Sequence, residues 1–191
     1  FANTTGGENV AVGAYALDAN TTASANTAVG YNCLSSNTTG ALNTGVGREC
    51  LIENTTGDHN VGVGVECLKE NTTGNDNTAV GYFALRANVG AVNNTAMGFE
   101  ALKSNTEGNS NVAVGYGAAK SQTTQQNNVA IGYLALEDNT HSNHVAIGFE
   151  ALKNNTTGDG SVAIGKGVLV TCTTGRINTM VGADGFSALT T

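Results

Sequence analysis

Residues 26–42 read Asn26-Thr27-Ala28-Val29-Gly30-Tyr31-Asn32-Cys33-Leu34-Ser35-Ser36-Asn37-Thr38-Thr39-Gly40-Ala41-Leu42, and at Asn43 the pattern starts over. Written as N-[TV]-A-V-G-[YF]-x-A-L-x-x-N-T-T-G-x-x, the unit begins at Asn9, Asn26, Asn43, Asn60, Asn77, Asn94, Asn111, Asn128, His144, Ser161 and Asn178. Its aliphatic–glycine pair recurs every seventeen residues from Val12-Gly13 to Val181-Gly182, with one interval of sixteen between Gly132 and Gly148. A fixed period of this length means equal coils stacked on one another. The expected fold is therefore an all-β solenoid of about eleven coils, with residues 1–191 forming a single repetitive segment. The chain opens in mid-repeat at Phe1-Ala2 and stops in mid-repeat at Thr191, as a piece of a longer fibrous protein would.

Each position of the unit carries a physical expectation. The second and fourth positions share one side of a short strand, as a period of two requires. The fourth, always Val, Ile or Met, is expected to supply core together with the leucine at the ninth. The small third residue (Ala28, Gly45, Gly62, Ala79) leaves room for another backbone. The unvarying fifth glycine fits a positive φ at a coil corner. Leu17, Leu34, Leu51, Leu68, Leu85, Leu102, Leu136, Leu152 and Leu169 read as a second short strand. The N-T-T-G stretch at Asn3, Asn37, Asn54, Asn71 and Asn155 is a turn, since Asn bonds local backbone and Gly accepts the left-handed region. With coils about 4.8 Å apart, these asparagines would form a ladder of side-chain amides, in a rod about 50 Å long.

So thin a coil buries little for the residues it orders. The small third and eighth positions, and the rings of Tyr31, Tyr82, Phe99, Tyr116, Tyr133 and Phe149 at the sixth, point to rods packed side by side as a parallel homotrimer. The formal charge of −7 argues against a nucleic-acid partner, which needs Lys and Arg to displace counterions. No apolar run has the length for membrane insertion. The absence of proline and a charged fraction of only 12% fit disorder poorly.

The strand motif resembles the head repeat of trimeric autotransporter adhesins, the YadA-like left-handed parallel β-roll with its N-S-V-A-I-G signature. It stands here as Asn127-Asn128-Val129-Ala130-Ile131-Gly132, Asn143-His144-Val145-Ala146-Ile147-Gly148 and Gly160-Ser161-Val162-Ala163-Ile164-Gly165, with Ser110-Asn111-Val112-Ala113-Val114-Gly115 close behind. Every coil carries some form of it. The resemblance implies a left-handed, trimeric, adhesive roll. The unit is longer than the family's by its N-T-T-G turn, and in that form it looks like repeats of bacteriophage tail fibres and related bacterial surface proteins.

Other features invite chemistry. Cys33, Cys50 and Cys67 share the eighth position, with Cys172 apart. A metal or disulfide column is one reading, and buried thiols standing in for the alanines of other coils is the other. Free thiols favour assembly in a reducing cytosol, hence a virus fibre over an exported adhesin. Gly160 to Gly167 mimics a phosphate loop but has Gly167 where the hydroxyl belongs. His59, His141 and His144 lie in or beside the variable turn; Glu137, Asp138 and His141 could bind a metal, although a solvated turn is expected. The sequons in N-T-T-G follow from the repeat itself. Arg48, Lys69, Arg86, Lys103, Lys120, Lys153 and Arg176 read as solubilising surface charges. A file of threonines at the thirteenth position, Thr4 through Thr173 with Val89 interposed, offers a flat repetitive surface of the kind ice-binding solenoids present.

No catalytic, cofactor-binding or metal-binding residue is assigned, no cofactor is expected, and no receptor-contacting residue can be singled out. The expected function is a non-enzymatic, adhesive trimeric fibre segment that contacts a glycan or protein on a host cell. The first reading places it in a virion tail fibre, the alternative in an adhesin head on a bacterial cell surface, and the third is an ice-binding solenoid.

Overall fold

The computed structural model describes residues 3–156, 158–172, 177–184 and 188–189. Phe1, Ala2, Thr173, Arg176, Thr191 and the side chain of Cys172 lie outside what is described. The chain is an all-β parallel solenoid of about ten turns, with no helix among the described residues. Its strands are β1 (Val10–Val12), β2 (Thr27–Val29), β3 (Thr44–Val46), β4 (Val61–Val63), β5 (Thr78–Val80), β6 (Thr95–Met97), β7 (Val112–Val114), β8 (Val129–Ile131), β9 (Val145–Ile147), β10 (Val162–Ile164), β11 (Thr171–Cys172), β12 (Thr179–Val181) and β13 (Ala188–Leu189). All but β11 and β13 form one eleven-stranded sheet in sequence order, and those two pair with each other.

The register follows the repeat. Val10 pairs with Thr27 and Val12 with Val29, one unit on, while Val129 pairs with Val145 across the sixteen-residue interval. Stacking continues around the turns, where Gly30 donates to the Val12 carbonyl at 2.8 Å, Asn32 to Ala14 at 3.0 Å and Leu34 to Cys50 at 3.0 Å. Main-chain polar groups are thus satisfied largely between coils, with bonds three residues apart such as Asn37 N–H to the Leu34 carbonyl closing the turns within each, which is what a chain with so little apolar surface needs.

The inside of the coil differs from the sequence-based expectation in two ways. First, the strands turn the small third residue inward. Ala28, Gly45, Gly62, Ala79 and Ala96 are buried, while the second and fourth positions face out, with Val12 56% and Met97 45% exposed. Most coils leave little room beside the leucine: a Cβ on Gly45 would already meet Cys33 Sγ at 2.6 Å. The core is mainly Ala or Gly at the third position, Ala or Cys at the eighth and Leu at the ninth, with Val168 at one eighth position and Ala119 at one ninth. Because the third and eighth positions are buried within the chain, they cannot be contacts between rods.

Second, the leucine segment is a run of turns rather than a strand. Leu17, Leu34, Leu51, Leu68, Leu85, Leu102, Leu136, Leu152 and Leu169 all have φ near +50°, and the seventh position is left-handed too. Left-handed backbone costs a non-glycine residue about 1–2 kcal/mol. Here it swings the chain round tightly enough to drop each leucine into the lumen, fully buried. The fifth glycine behaves as expected, with φ between 130° and 155°, and from Gly13 to Gly165 the next coil leaves no space for a side chain. A Cβ on Gly81 would stand 2.4 Å from the Gly98 carbonyl oxygen.

Two files of buried asparagine line the polar wall of the lumen. In the N-T-T-G turn, Asn54 donates to Asn37 Oδ1 and Asn71 to Asn54 Oδ1, each at 2.8 Å, and each also donates to the carbonyl three residues on. The first-position asparagines form a second file: the Asn43 N–H donates to Asn26 Oδ1 at 2.9 Å, and Asn43 Nδ2 to Gly57 O at 2.7 Å. The fifteenth-position carbonyl is therefore the shared acceptor of both files. The turn file is interrupted where Gln122 replaces asparagine, which leaves the buried Asn105 Oδ1 without a hydrogen-bond partner.

Candidate functional site

With the third position inside, the outer face of the sheet presents a mixed Val/Thr file at the second position and an apolar file at the fourth, bordered by the sixth. At the sixth, Tyr82, Phe99, Tyr116, Tyr133 and Phe149 form one continuous stack, with centroids 5.4, 5.0, 5.3 and 5.2 Å apart and planes within 16° of parallel. Every ring in it is exposed, Tyr116 by 47%. The faces are spent on neighbouring rings, so the stack offers solvent a ridge of ring edges. Tyr31 stands apart and meets Tyr15 edge-on at 5.9 Å, because Arg48 and Val65 occupy the next two sixth positions. Together with Met97, Ile131 and the other fourth-position residues, the ridge makes a long uncharged strip along the rod.

Beyond the ridge runs a rail of ion pairs between the sixth, seventh and tenth positions. Arg48 contacts Glu49 and Glu66 at 3.0 and 3.1 Å; Lys69 contacts the same two carboxylates at 3.1 and 3.2 Å; Arg86 reaches Glu66 and Glu70 at 3.1 and 2.9 Å. Lys103 and Lys120 share Glu100, and Lys153 joins Glu150 to Glu137. Burial pushes the Glu66 carboxyl upward, but hydrogen bonds from Arg86 and Lys69 outweigh it and hold the group below the ordinary 4.5. The cations expected to be simple solubilising charges instead clamp adjacent coils together.

Cys33, Cys50 and Cys67 stack inside the lumen as free, buried thiols, and Cys67 donates to the Ala79 carbonyl at 3.1 Å. The hydrogen bond to Cys50, with burial, pushes the Cys33 thiol far above its usual range. A thiol that resists ionisation is a poor nucleophile and a poor metal ligand. The arrangement agrees with thiols standing in for alanine.

The histidines do not gather. His59 is exposed, 3.9 Å from Asp76; His141 contacts Thr140; Asp138 accepts from Ser121; and Glu137 faces Lys153. No group of three metal-ligating side chains is present among the described residues. His144, beside the variable turn in a slot usually held by asparagine, is fully buried in the first-position file. Burial lowers its pKa to about 4. The phosphate-loop mimic is strand β10 and the turn after it, with the Gly165 and Gly167 N–H groups already donated to Ile147 and Phe149. The turn-file sequon asparagines Asn37, Asn54, Asn71 and Asn155 are buried and hydrogen-bonded, closed to any glycosylating enzyme. Thirteenth-position threonines spend their hydroxyls on the next coil: Thr38 donates to the Thr55 carbonyl and Thr55 to Thr72, both at 3.0 Å.

The aromatic ridge was legible in the sequence as a file of rings. The apolar file beside it was not, because it was assigned to the core. No helix among the described residues is long and apolar enough to cross a membrane. Comparison with family models, with curated proteins and with solved structures found no match to this chain.

Proposed function

We propose that this chain is a non-enzymatic segment of a trimeric fibre that adheres to a host cell surface. The observation that carries the reading is the uncharged face made by the second and fourth positions, Val, Thr, Ile or Met throughout, with the ring ridge from Tyr82 to Phe149 beside it, unpartnered in the single chain. Eleven strands about 4.8 Å apart and three residues across give roughly 50 by 10 Å, or about 500 Å², which the ring ridge widens toward what each partner buries in a stable interface. A ridge that repeats at the coil pitch is matched along its whole length by a partner of equal pitch, and another copy of the chain has that pitch.

Left-handed winding and a parallel threefold arrangement complete the reading and rest on the resemblance of the V-A-I-G strands to adhesin head repeats. Three copies would present every outward residue three times, so weak contacts with a host glycan or protein add through multivalency. A tail fibre of a bacterial virus is preferred over a bacterial adhesin head, because three stacked free thiols suit assembly in a reducing cytosol.

The test is the solution mass of the purified segment by light scattering, with and without reductant, followed by its binding to host cells. A trimer under both conditions supports the reading. A monomer at micromolar concentration sinks the assembly on which it rests.

A further inference from the structure

The sixteen-residue interval changes what lies inside the solenoid between β8 and β9. The residue lost from the turn after Asn139 removes the usual fifteenth-position acceptor, and His141 supplies the carbonyl instead. Asn128 Nδ2 and Asn139 Nδ2 both donate to it. At the end of this coil His144 takes a place that nine of the eleven units give to asparagine.

His144 is joined to both neighbouring coils. Its own N–H donates to Asn128 Oδ1 at 2.8 Å, and its Nδ1 accepts the Ser161 N–H at 3.1 Å. Nε2 lies 2.9 Å from Asn155 Nδ2. Both ring nitrogens therefore face N–H donors. A neutral imidazole can meet one of them as an acceptor; an imidazolium, with a proton on each nitrogen, can meet neither. Turning the Asn155 amide over would present Oδ1 to the ring. It would also set that oxygen against Asn139 Oδ1 and the Gly158 carbonyl, which Nδ2 now serves at 3.0 Å each. Asn155 Oδ1 is buried without a hydrogen-bond partner, and the backbone of Ser161 and Gly158 favours the protonated ring less than burial opposes it.

We infer that His144 is an acid-labile joint in the solenoid: its protonation removes the ring's one acceptor and breaks the contact to Ser161, and the coils on either side of it separate in mild acid while the earlier coils stay closed. The inference stands apart from the trimer and adhesion reading, since it concerns the lumen of one chain.

The electrostatics around the ring point the same way. Burial is the largest influence and holds the imidazole at about 4; the Asp159 carboxylate draws it up and His141 pushes it down. The contacts with Asn128, Asn155 and Ser161 are uncharged. Since the folded value lies below the ordinary 6.5, the stabilisation is complete above about 6.5, is lost as the pH falls toward about 4, and changes no further below that. Glu66 and Glu100 in the ion-pair rail are held below 4.5, so these two carboxylates stay ionised over most of this window.

Hydrogen exchange at about pH 7.5 and pH 4.5, corrected for intrinsic amide rates, tests the joint. The opening constant of residues 139–164 is expected to rise on the order of a hundredfold in acid, with residues 26–80 unchanged. His144→Asn should abolish the rise and His141→Asn should keep it. Equal acid loosening in His144→Asn, or none in the parent chain, would overturn the inference. Should His144→Asn fail to fold, NMR titration of the imidazole decides: half-protonation below about pH 5 supports the joint, and a midpoint between about 6 and 7 refutes it.

Discussion

Cys33 Sγ fills the space that a side chain on Gly45 would need, and Cys50 stands in the same relation to Gly62. Other coils set alanine against alanine, as with Ala84 and Ala96 or Ala101 and Ala113. The third and eighth positions thus trade volume across the lumen. Gly45→Ala alone should destabilise the chain by about 1–3 kcal/mol through overpacking. The lower end is expected, because Cys67 and Ala79 already coexist at Sγ–O 3.1 Å. Cys33→Ala in the same chain should restore stability, and a double-mutant cycle in urea would read the coupling. Additive effects would deny the trade.

Gly98 has φ +135°, and a Cβ there would stand 2.5 Å from the Gly115 carbonyl oxygen. Backbone strain and a clash with the next coil act together, and neither can be relieved by a side-chain rotation. Gly98→Ala is expected to cost more than about 3 kcal/mol and to lower the thermal midpoint accordingly. A midpoint equal to that of the parent would contradict the stacking described at this corner.

Asn71 donates to Asn54 Oδ1 and Gly74 O and accepts from Asn88 Nδ2 at 2.6 Å. Asn71→Ala removes one side chain and leaves buried groups on both adjacent coils unpaired. The expected loss is about 2–4 kcal/mol, read from chemical denaturation. Replacing the exposed Thr73 two residues on by alanine should change stability by less than about 0.5 kcal/mol.

Ile131 and Tyr116 lie on the uncharged outer strip. Ile131→Lys should leave the melting of an isolated chain nearly unchanged, whereas Tyr116→Ala should cost about 1–3 kcal/mol through its two lost ring contacts; both should weaken assembly by about tenfold or more, as loss of a central interface anchor does. A dilution series by light scattering checks this. If assembly is untouched by both, the copies meet through another face.

Glu66 contributes stability above the ordinary carboxylate value of 4.5, because its folded pKa is depressed. That contribution is lost as the pH falls below about 4.5 and through the lower folded value. Glu66→Gln should flatten the stability profile in this window and leave the higher window of His144 intact. Urea midpoints measured between about pH 3 and pH 7 would separate the two.

The sequence by itself determined the stacking. A seventeen-residue period with an unvarying glycine sets coil on coil in register, and asparagine recurring at one turn position builds a file of amides, because equivalent residues must lie one strand spacing apart. Only the tertiary structure decided which side of each strand faces the lumen. Alternation says that Val10 and Val12 share a side opposite Ala11, and it is silent on which side is inside. That choice falls to the lumen's width, which in most coils holds little more than a methyl group or a thiol beside the leucine. The left-handed φ of the leucines and the burial of His144 were hidden for the same reason. Both follow from how tightly the chain must turn to close a coil, a constraint that exists only once the neighbouring coils are in place.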